Sequence, residues 1–403
     1  MICGLAEDPE MFEALFGRKK SKQQTGHATN APVPASAHSA SRVTAPLPAT
    51  MADITADWLQ SVLHEHPDFR GKRITTATGV PIGEGVGQVS AIARFALTYA
   101  GAQGPEGVVV KLHPPFEAMR AVGMRYEMYR REAFFYRSLA TETGAPVPTI
   151  YFSEWDAKLE RSATVMQDMT RWHWPDQLVG ATQREAELCI DAIARLGARC
   201  WGADLSHHSW LPDTRSPVLQ NIIADYRQCV PIALERLGGH LGVEAKDACQ
   251  RIARHIDWIL EELAKPPLIV SHFDSRLENF VFEKPGSEKL ALIDWQLVAR
   301  VRPGWDFAYF VGCSIPEDLR RQLMPELKNR YLRGLRDGGV KNYDAASFDS
   351  DLRLNSMAVT LIPVIGGASF DASNARSTAL FSSILQRTLG AVLDNKALEL
   401  LPH

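Results

Sequence analysis

Between Leu268 and Gln296 the chain gathers oxygen-bearing side chains at the ends of short apolar runs. One run reads L-I-V-S-H-F-D-S-R-L-E-N-F-V-F from Leu268 to Phe282, and a second reads L-A-L-I-D-W-Q from Leu290 to Gln296. Asp274 and Asn279 stand five residues apart, and Asp294 lies fifteen beyond Asn279, across a turn-like E-K-P-G-S-E-K. Phosphoryl transfer needs such a set: a carboxylate to receive the proton of an attacking hydroxyl, and oxygen ligands to hold Mg2+ on a triphosphate. A lone His-x-Asp would carry almost no information. The ordered series His-x-Asp, Asn and a strand ending in Asp carries much more.

With D-F-A-Y-F downstream at Asp306 to Phe310, this segment resembles the aminoglycoside phosphotransferase superfamily, in particular its choline-kinase-like and ecdysteroid-kinase-like branch. The resemblance extends over most of residues 74 to 340. It implies that Asp274 is the base taking the acceptor's proton and that Asn279 and Asp294 are the Mg2+ ligands, with ATP as phosphoryl donor. By the same resemblance His272 braces the loop, Asp306 accepts backbone hydrogen bonds from it, and Arg276 faces either phosphate or a loop carboxylate such as Glu278. Phe273 departs from the family, which has Gly at that position. A ring beside the base reshapes the acceptor entrance.

These residues need a scaffold, and the preceding chain reads as one. V-P-I-G-E-G-V-G-Q-V-S-A-I-A-R-F predicts a hairpin with Gly83, Gly85 and Gly87 at its tip, where backbone N–H groups could approach phosphate oxygens with no Cβ in the way. In the following strand, G-V-V-V-K-L-H, Lys111 sits among apolar residues, where an unpaired ammonium is costly and a carboxylate or phosphate partner is required. Two carboxylates on the next predicted helix are available. Glu127 can pair with Arg131 on a solvated face. Glu132 abuts Phe134, Phe135 and Tyr136 and also fits the family pattern, so it is assigned as the partner of Lys111. The strands A-P-V-P-T-I-Y-F-S-E-W and S-A-T-V-M-Q-D-M complete a sheet of about five and lead to a hinge, where the backbone of Gln167 to Met169 would meet adenine. Asp168 either caps the turn there or touches nucleotide.

Beyond the hinge the periodicity becomes helical, with helices predicted over 182–200, 217–237 and 244–264. Trp201, His207, His208 and Trp210 form an aromatic loop, read mainly as packing. The region from Pro316 to Leu401 reads as three helices broken at Gly338-Gly339 and Gly366-Gly367. Five acids and four bases between Asp344 and Lys396 give this wall no excess of carboxylate for a polycationic acceptor. The apolar run Met357 to Phe370 could flank a lipophilic alcohol or simply be core.

Composition is that of a globular protein: 403 residues, 45% hydrophobic and 23% charged. A net charge of -3 argues against a nucleic-acid partner. The six cysteines include no C-x-x-C pair, so neither zinc nor a disulfide framework is indicated by them. No apolar run approaches the ~20 residues of a membrane span, and the acidic N-terminus lacks a signal-peptide core, so a cytoplasmic location is expected. Residues 1–50, rich in Ala, Ser, Thr and Pro, are expected to be a disordered tail, with Met51 a possible alternative start.

The fold class implied is α+β and bilobal, protein-kinase-like. A small ATP-binding lobe, 51–168, would hold a five-stranded antiparallel sheet and one helix, and a mainly helical lobe, 169–403, would hold the catalytic loop, metal site and acceptor pocket. The implied function is transfer of the γ-phosphoryl group of ATP to a small-molecule hydroxyl. The alternative is a catalytically silent kinase fold that binds nucleotide or a regulatory protein. A third reading, a protein kinase, fares worse because the chain reaches Asp306 twelve residues after Asp294, with no activation loop or A-P-E segment between.

Overall fold

The computed structural model describes residues 46–82, 90–101, 103–114, 117–369 and 374–402, without the side chains of 118 and 119. The glycines Gly83, Gly85 and Gly87 lie outside the described residues, as does most of the expected tail.

The small lobe is an antiparallel sheet in the order β1-β2-β3-β5-β4, formed by β1 (Ile74–Pro81), β2 (Ala91–Tyr99), β3 (Gly107–Leu112), β4 (Ile150–Asp156) and β5 (Arg161–Gln167). All six residues of β3 are buried, as suits a central strand, and Lys111 pairs in register with Ile92 on one side and Thr164 on the other.

Three helices, rather than the one predicted, accompany this sheet. The first, α1 (Ala56–Leu63), starts where Thr55 accepts the Trp58 N–H at 3.1 Å. Its buried Trp58, Leu59, Val62 and Leu63 join Phe95, Leu97, Val108, Val110 and Val165 in a second, smaller core. Leu47 is buried in that core too, and its carbonyl accepts from Arg161, so residues 46–50 belong to the lobe and not to the tail assigned to them. The physical reason is that Leu47, the one large apolar side chain in its Pro-rich surroundings, finds a hydrophobic face to cover. After α2 (Glu117–Arg125), α3 (Met128–Phe134) runs on through a π turn, Phe135–Leu139, and a final turn, Ala140–Thr143.

The large lobe holds α4 (Gln183–Cys200), α5 (Pro217–Leu237), α6 (Val243–Arg254) and α7 (Ile256–Leu263). The last two split the single helix predicted over 244–264 at His255, whose φ of -110° and ψ of 12° are not helical. Two short ribbons follow: β6 (Ile269–Ser271) pairs with β9 (Ala299–Val301), and β7 (Phe280–Phe282) pairs with β8 (Leu290–Leu292).

The chain closes with α8 (Trp305–Ser314), α9 (Glu317–Asp337), α10 (Ala345–Ala358), α11 (Leu361–Ser369) and α12 (Ala375–Asp394). Gly366-Gly367 does not break the chain as predicted; both lie inside α11. An added Cβ would come within 2.5 Å of the Phe381 ring at Gly366 and of Leu237 at Gly367, so these glycines permit close helix packing. The segment Ala345–Ser369 is long and apolar enough to span a membrane, but 89% of its most apolar window is buried within the fold.

Candidate active site

The loop after β6 is built on one carboxylate. Asp306, in the first turn of α8, accepts the backbone N–H groups of His272 at 3.0 Å and Phe273 at 3.1 Å and the Ser271 hydroxyl at 2.9 Å. Burial raises the pKa of Asp306 despite the neighbouring His272 and these bonds. The His272 ring is a brace. Its Nδ1 accepts the Asp274 N–H at 3.3 Å, which leaves Nε2 protonated to donate to the Ile293 carbonyl at 2.8 Å. One imidazole thus ties the Asp274 loop to the strand that ends at Asp294.

Phe273 has φ of 74°, a left-handed conformation that L side chains rarely adopt. Its ring stacks on Trp305, and the Trp305 indole N–H donates to the Phe273 carbonyl at 3.0 Å. These contacts show how a residue other than Gly is held there.

Asn279 donates its amide to the Asp274 carbonyl at 2.6 Å, and its own carbonyl accepts from Ile293 at 2.9 Å, so Asp274, Asn279 and the Asp294 strand are locked as one unit. The Asn279 Oδ1 is thereby turned away from the Asp274 backbone. Asp274 Oδ1 is buried and makes no hydrogen bond within normal distance among the described residues, though the buried Tyr309 phenol faces the Asp274 carboxylate, which with burial raises the phenol's pKa. The Arg276 guanidinium also interacts with this carboxylate, so its charge is balanced within the loop.

From the other lobe, Lys111 Nζ donates to Glu132 Oε1 at 2.8 Å and to Asp294 Oδ1 at 2.7 Å. Burial disfavours the ammonium, but Asp294 and Glu132 outweigh it and raise the Lys111 pKa. Asp294 is half-buried, and although desolvation opposes its charge Lys111 holds it below the ordinary carboxylate value, whereas burial dominates at Glu132 and raises it. Glu127 is not a partner of Lys111. It pairs with Arg130 at 2.9 Å and not with Arg131, as the spacing had predicted. Arg131 is fully buried and donates to the carbonyls of Val298 at 2.7 Å, Leu297 and Tyr126 at 3.2 Å.

Lys111, Glu132, Gln167, Met169, Asn279 and Asp294 line one cleft of about 560 Å³ between the lobes. Asp168 does not line it. Its carboxylate takes Arg94 at 2.6 Å and the Thr170 N–H at 3.0 Å, the turn-capping alternative. Arg276 lines the cleft with its guanidinium 3.7 Å from Glu278. Burial opposes its charge, but Asp274 and Glu278 outweigh that and raise its pKa.

Among the cleft residues not assigned to a site from sequence are Trp174 and Arg376. Trp174 donates its indole N–H to the Met169 carbonyl at 3.0 Å, and Arg376, at the start of α12, stands 3.6 Å from both Asp176 and Glu278. Trp174 opens the segment W-P-D-Q-L-V-G, which does not by itself announce a cleft, and Arg376 reaches the site only through the tertiary fold.

Asp274 itself faces a second, smaller recess of about 60 Å³, shared with Phe273, Leu297, Leu361, Ile362 and Ile365. Gln296 lines both recess and cleft.

Residues 206–341 match the ecdysteroid kinase-like family. That stretch of ecdysteroid kinase-like sequence contains the Asp274 loop, Asn279, Asp294 and Asp306, so the resemblance read from those motifs holds. The fold is that of a microcompartment-associated aminopropanol kinase, with a TM-score of 0.50 and 15% identity over 79% of this chain and 91% of that one. Choline kinase from Cryptosporidium parvum (TM-score 0.44, 11% identity, 79% of this chain and 89% of that one) is also similar. So is a macrolide 2'-phosphotransferase from Brachybacterium faecium (0.44, 16%, 80% and 98%). No curated protein sequence matches the chain.

Proposed function

We propose that the protein is a Mg2+-ATP-dependent phosphotransferase acting on a small-molecule alcohol. The observation that carries this reading is the convergence of Lys111 from β3 and Asp294 from the large lobe, 2.7 Å apart in one cleft, beside Asn279 and the Asp274 loop. A contact between positions 183 apart, opening on a cleft between the lobes, supports a polyanion site built from both.

Asn279 and Asp294 offer hard oxygen donors in the cleft, which suit Mg2+. Bound there, Mg2+ would neutralise phosphate charge. Lys111, held by Glu132, would contact the α and β phosphates, and the backbone of Gln167 to Met169 would meet the adenine edge. Asp274 takes the proton of the acceptor hydroxyl as its oxygen bonds to the γ-phosphorus. The β–γ bridging bond breaks, its electron pair leaves with ADP, and the acceptor departs as a phosphate monoester. Positioning and charge neutralisation supply most of the rate, so few reactive side chains are required.

The acceptor is proposed to be a lipophilic alcohol. The recess at Asp274 is walled mainly by apolar side chains, among them Phe273, Leu297, Leu361, Ile362 and Ile365, and besides Asp274 its described lining holds no carboxylate for an amino-sugar, whereas Arg131 lines it. ADP release measured with Mg2+-ATP across a panel of apolar alcohols and amino-sugars tests both parts. Stimulation by apolar alcohols is expected. Stimulation by amino-sugars alone would overturn the acceptor class, and Mg2+-ATP binding with no transfer to any alcohol would favour the silent alternative.

A further inference from the structure

Behind the cleft, the end of the helix that carries Glu132 meets the loop between α4 and α5. There Glu142 Oε2 lies 3.2 Å from His207 Nε2 and 3.1 Å from His208 Nε2, and the three donor groups stand within 4.8 Å of one another. For metal–nitrogen and metal–oxygen bonds of about 2.0–2.2 Å, the donor atoms of a tetrahedral centre stand roughly 3.3 Å apart. The carboxylate already holds that separation from both imidazoles.

The geometry points to a transition-metal site made by Glu142, His207 and His208, of the class that takes Zn2+, with one position open to solvent. Two imidazole nitrogens and a carboxylate form a borderline donor set that prefers Zn2+ over Mg2+ or Ca2+. An ion pair alone would need only one histidine. Here two consecutive imidazoles, their centroids 4.1 Å apart, turn the same ring nitrogen towards a single carboxylate.

The support behind the ligands is rigid. His208 is 6% exposed and lies edge-on to Trp210, which in turn packs against Phe134 of the Glu132 helix. Arg199 donates to the Glu142 carbonyl at 3.3 Å. Glu142 and His207 are open to solvent on the other side, 43% and 57% exposed, which gives an ion a route in.

Glu142 belongs to the small lobe's helix, and the two histidines belong to the large lobe. A metal ion there would bind the two together ten residues from Glu132. The site does not depend on the phosphotransferase reading.

The test uses the full chain, stripped of metal and held in excess Mg2+ so that oxygen-rich sites are occupied. Zn2+ is titrated against a chromophoric chelator, and Co2+ is added separately as a spectroscopic probe. One Zn2+ per chain is expected, with an intense tetrahedral-type Co2+ visible spectrum and a melting temperature that rises with Zn2+. His207→Ala removes an exposed ligand. It should melt like the wild type without metal, lose at least tenfold in Zn2+ affinity and lose the thermal shift. Glu142→Gln should behave likewise, whereas Asp294→Asn should keep the Zn2+ stoichiometry. Failure of the wild type to bind Zn2+, or Zn2+ affinity unchanged in both His207→Ala and Glu142→Gln, would overturn the site.

Discussion

The Phe273 ring lies against the Trp305 indole with 3.9 Å between centroids and 19° between planes. Trp305 opens α8 one residue before Asp306, the carboxylate that organises the loop, so the stack and the hydrogen bonds act on the same turn. Phe273 is 2% exposed, and its φ of 74° would suit glycine better.

Two effects compete when Phe273 is replaced by Gly. Relief of the left-handed conformation gains about 1–2 kcal/mol, whereas deleting a buried aromatic ring costs about 3–5 kcal/mol. Phe273→Gly should therefore destabilise the protein by roughly 1–4 kcal/mol, read from the urea midpoint. A more stable variant would mean that strain outweighs packing at this position.

Asp274 is assigned the proton, not the nucleotide. Asp274→Asn should lower turnover by about 10²–10⁴-fold while leaving Mg2+-ATP affinity within a few-fold, by single-turnover assay and nucleotide titration. Equal turnover in the variant would remove the base from the proposed mechanism.

Glu132 and Glu127 sit five positions apart on one stretch of chain and should respond very differently. Glu132→Gln weakens the buried partner of Lys111, and a drop in nucleotide affinity of about tenfold or more is expected together with a lower melting temperature. Glu127→Gln loosens a half-exposed pair with Arg130 and removes a charge that favours the buried Arg131, so it should cost some stability but leave nucleotide affinity unchanged. Similar losses in both variants would contradict the assignment.

Acid unfolding should report on Asp294. Although burial works against it, Lys111 holds the folded carboxylate below its ordinary value of 3.8. On acidification the unfolded chain takes up this proton first. The stability from the ionised group is thus complete above about pH 5 and drains as the pH falls through the ordinary value towards the depressed one. Asp306, which burial shifts the other way, is present in both proteins and cancels in the comparison. The gap in urea midpoint between wild type and Asp294→Asn should be widest near neutrality and narrow below about pH 4. A gap independent of pH would show that the charge of Asp294 contributes nothing to folding.

Much of this architecture is legible in the residues. The unbroken apolar run around Lys111 marks a strand buried on both faces, where an amine needs partners, and the spacing from His272 to Asp294 marks the loop. Other features are not local. His255 breaks a helix that periodicity alone would continue, and Gly366-Gly367 looks like a break until Phe381 and Leu237 are seen pressed against it. Arg376 and Trp174 reach the cleft through tertiary folding, and the Glu142, His207 and His208 cluster joins segments 65 and 66 positions apart. Nothing in either segment announces the other.

Arg131 adds a join between the lobes. Its guanidinium, rooted in the helix that bears Glu132, grips the main chain at Leu297 and Val298 of the opposite lobe. The same guanidinium and Leu297 also wall the small recess that Asp274 faces. One buried cation thus clasps the two lobes at the rim of that recess, and its removal would loosen the join and reshape the recess together.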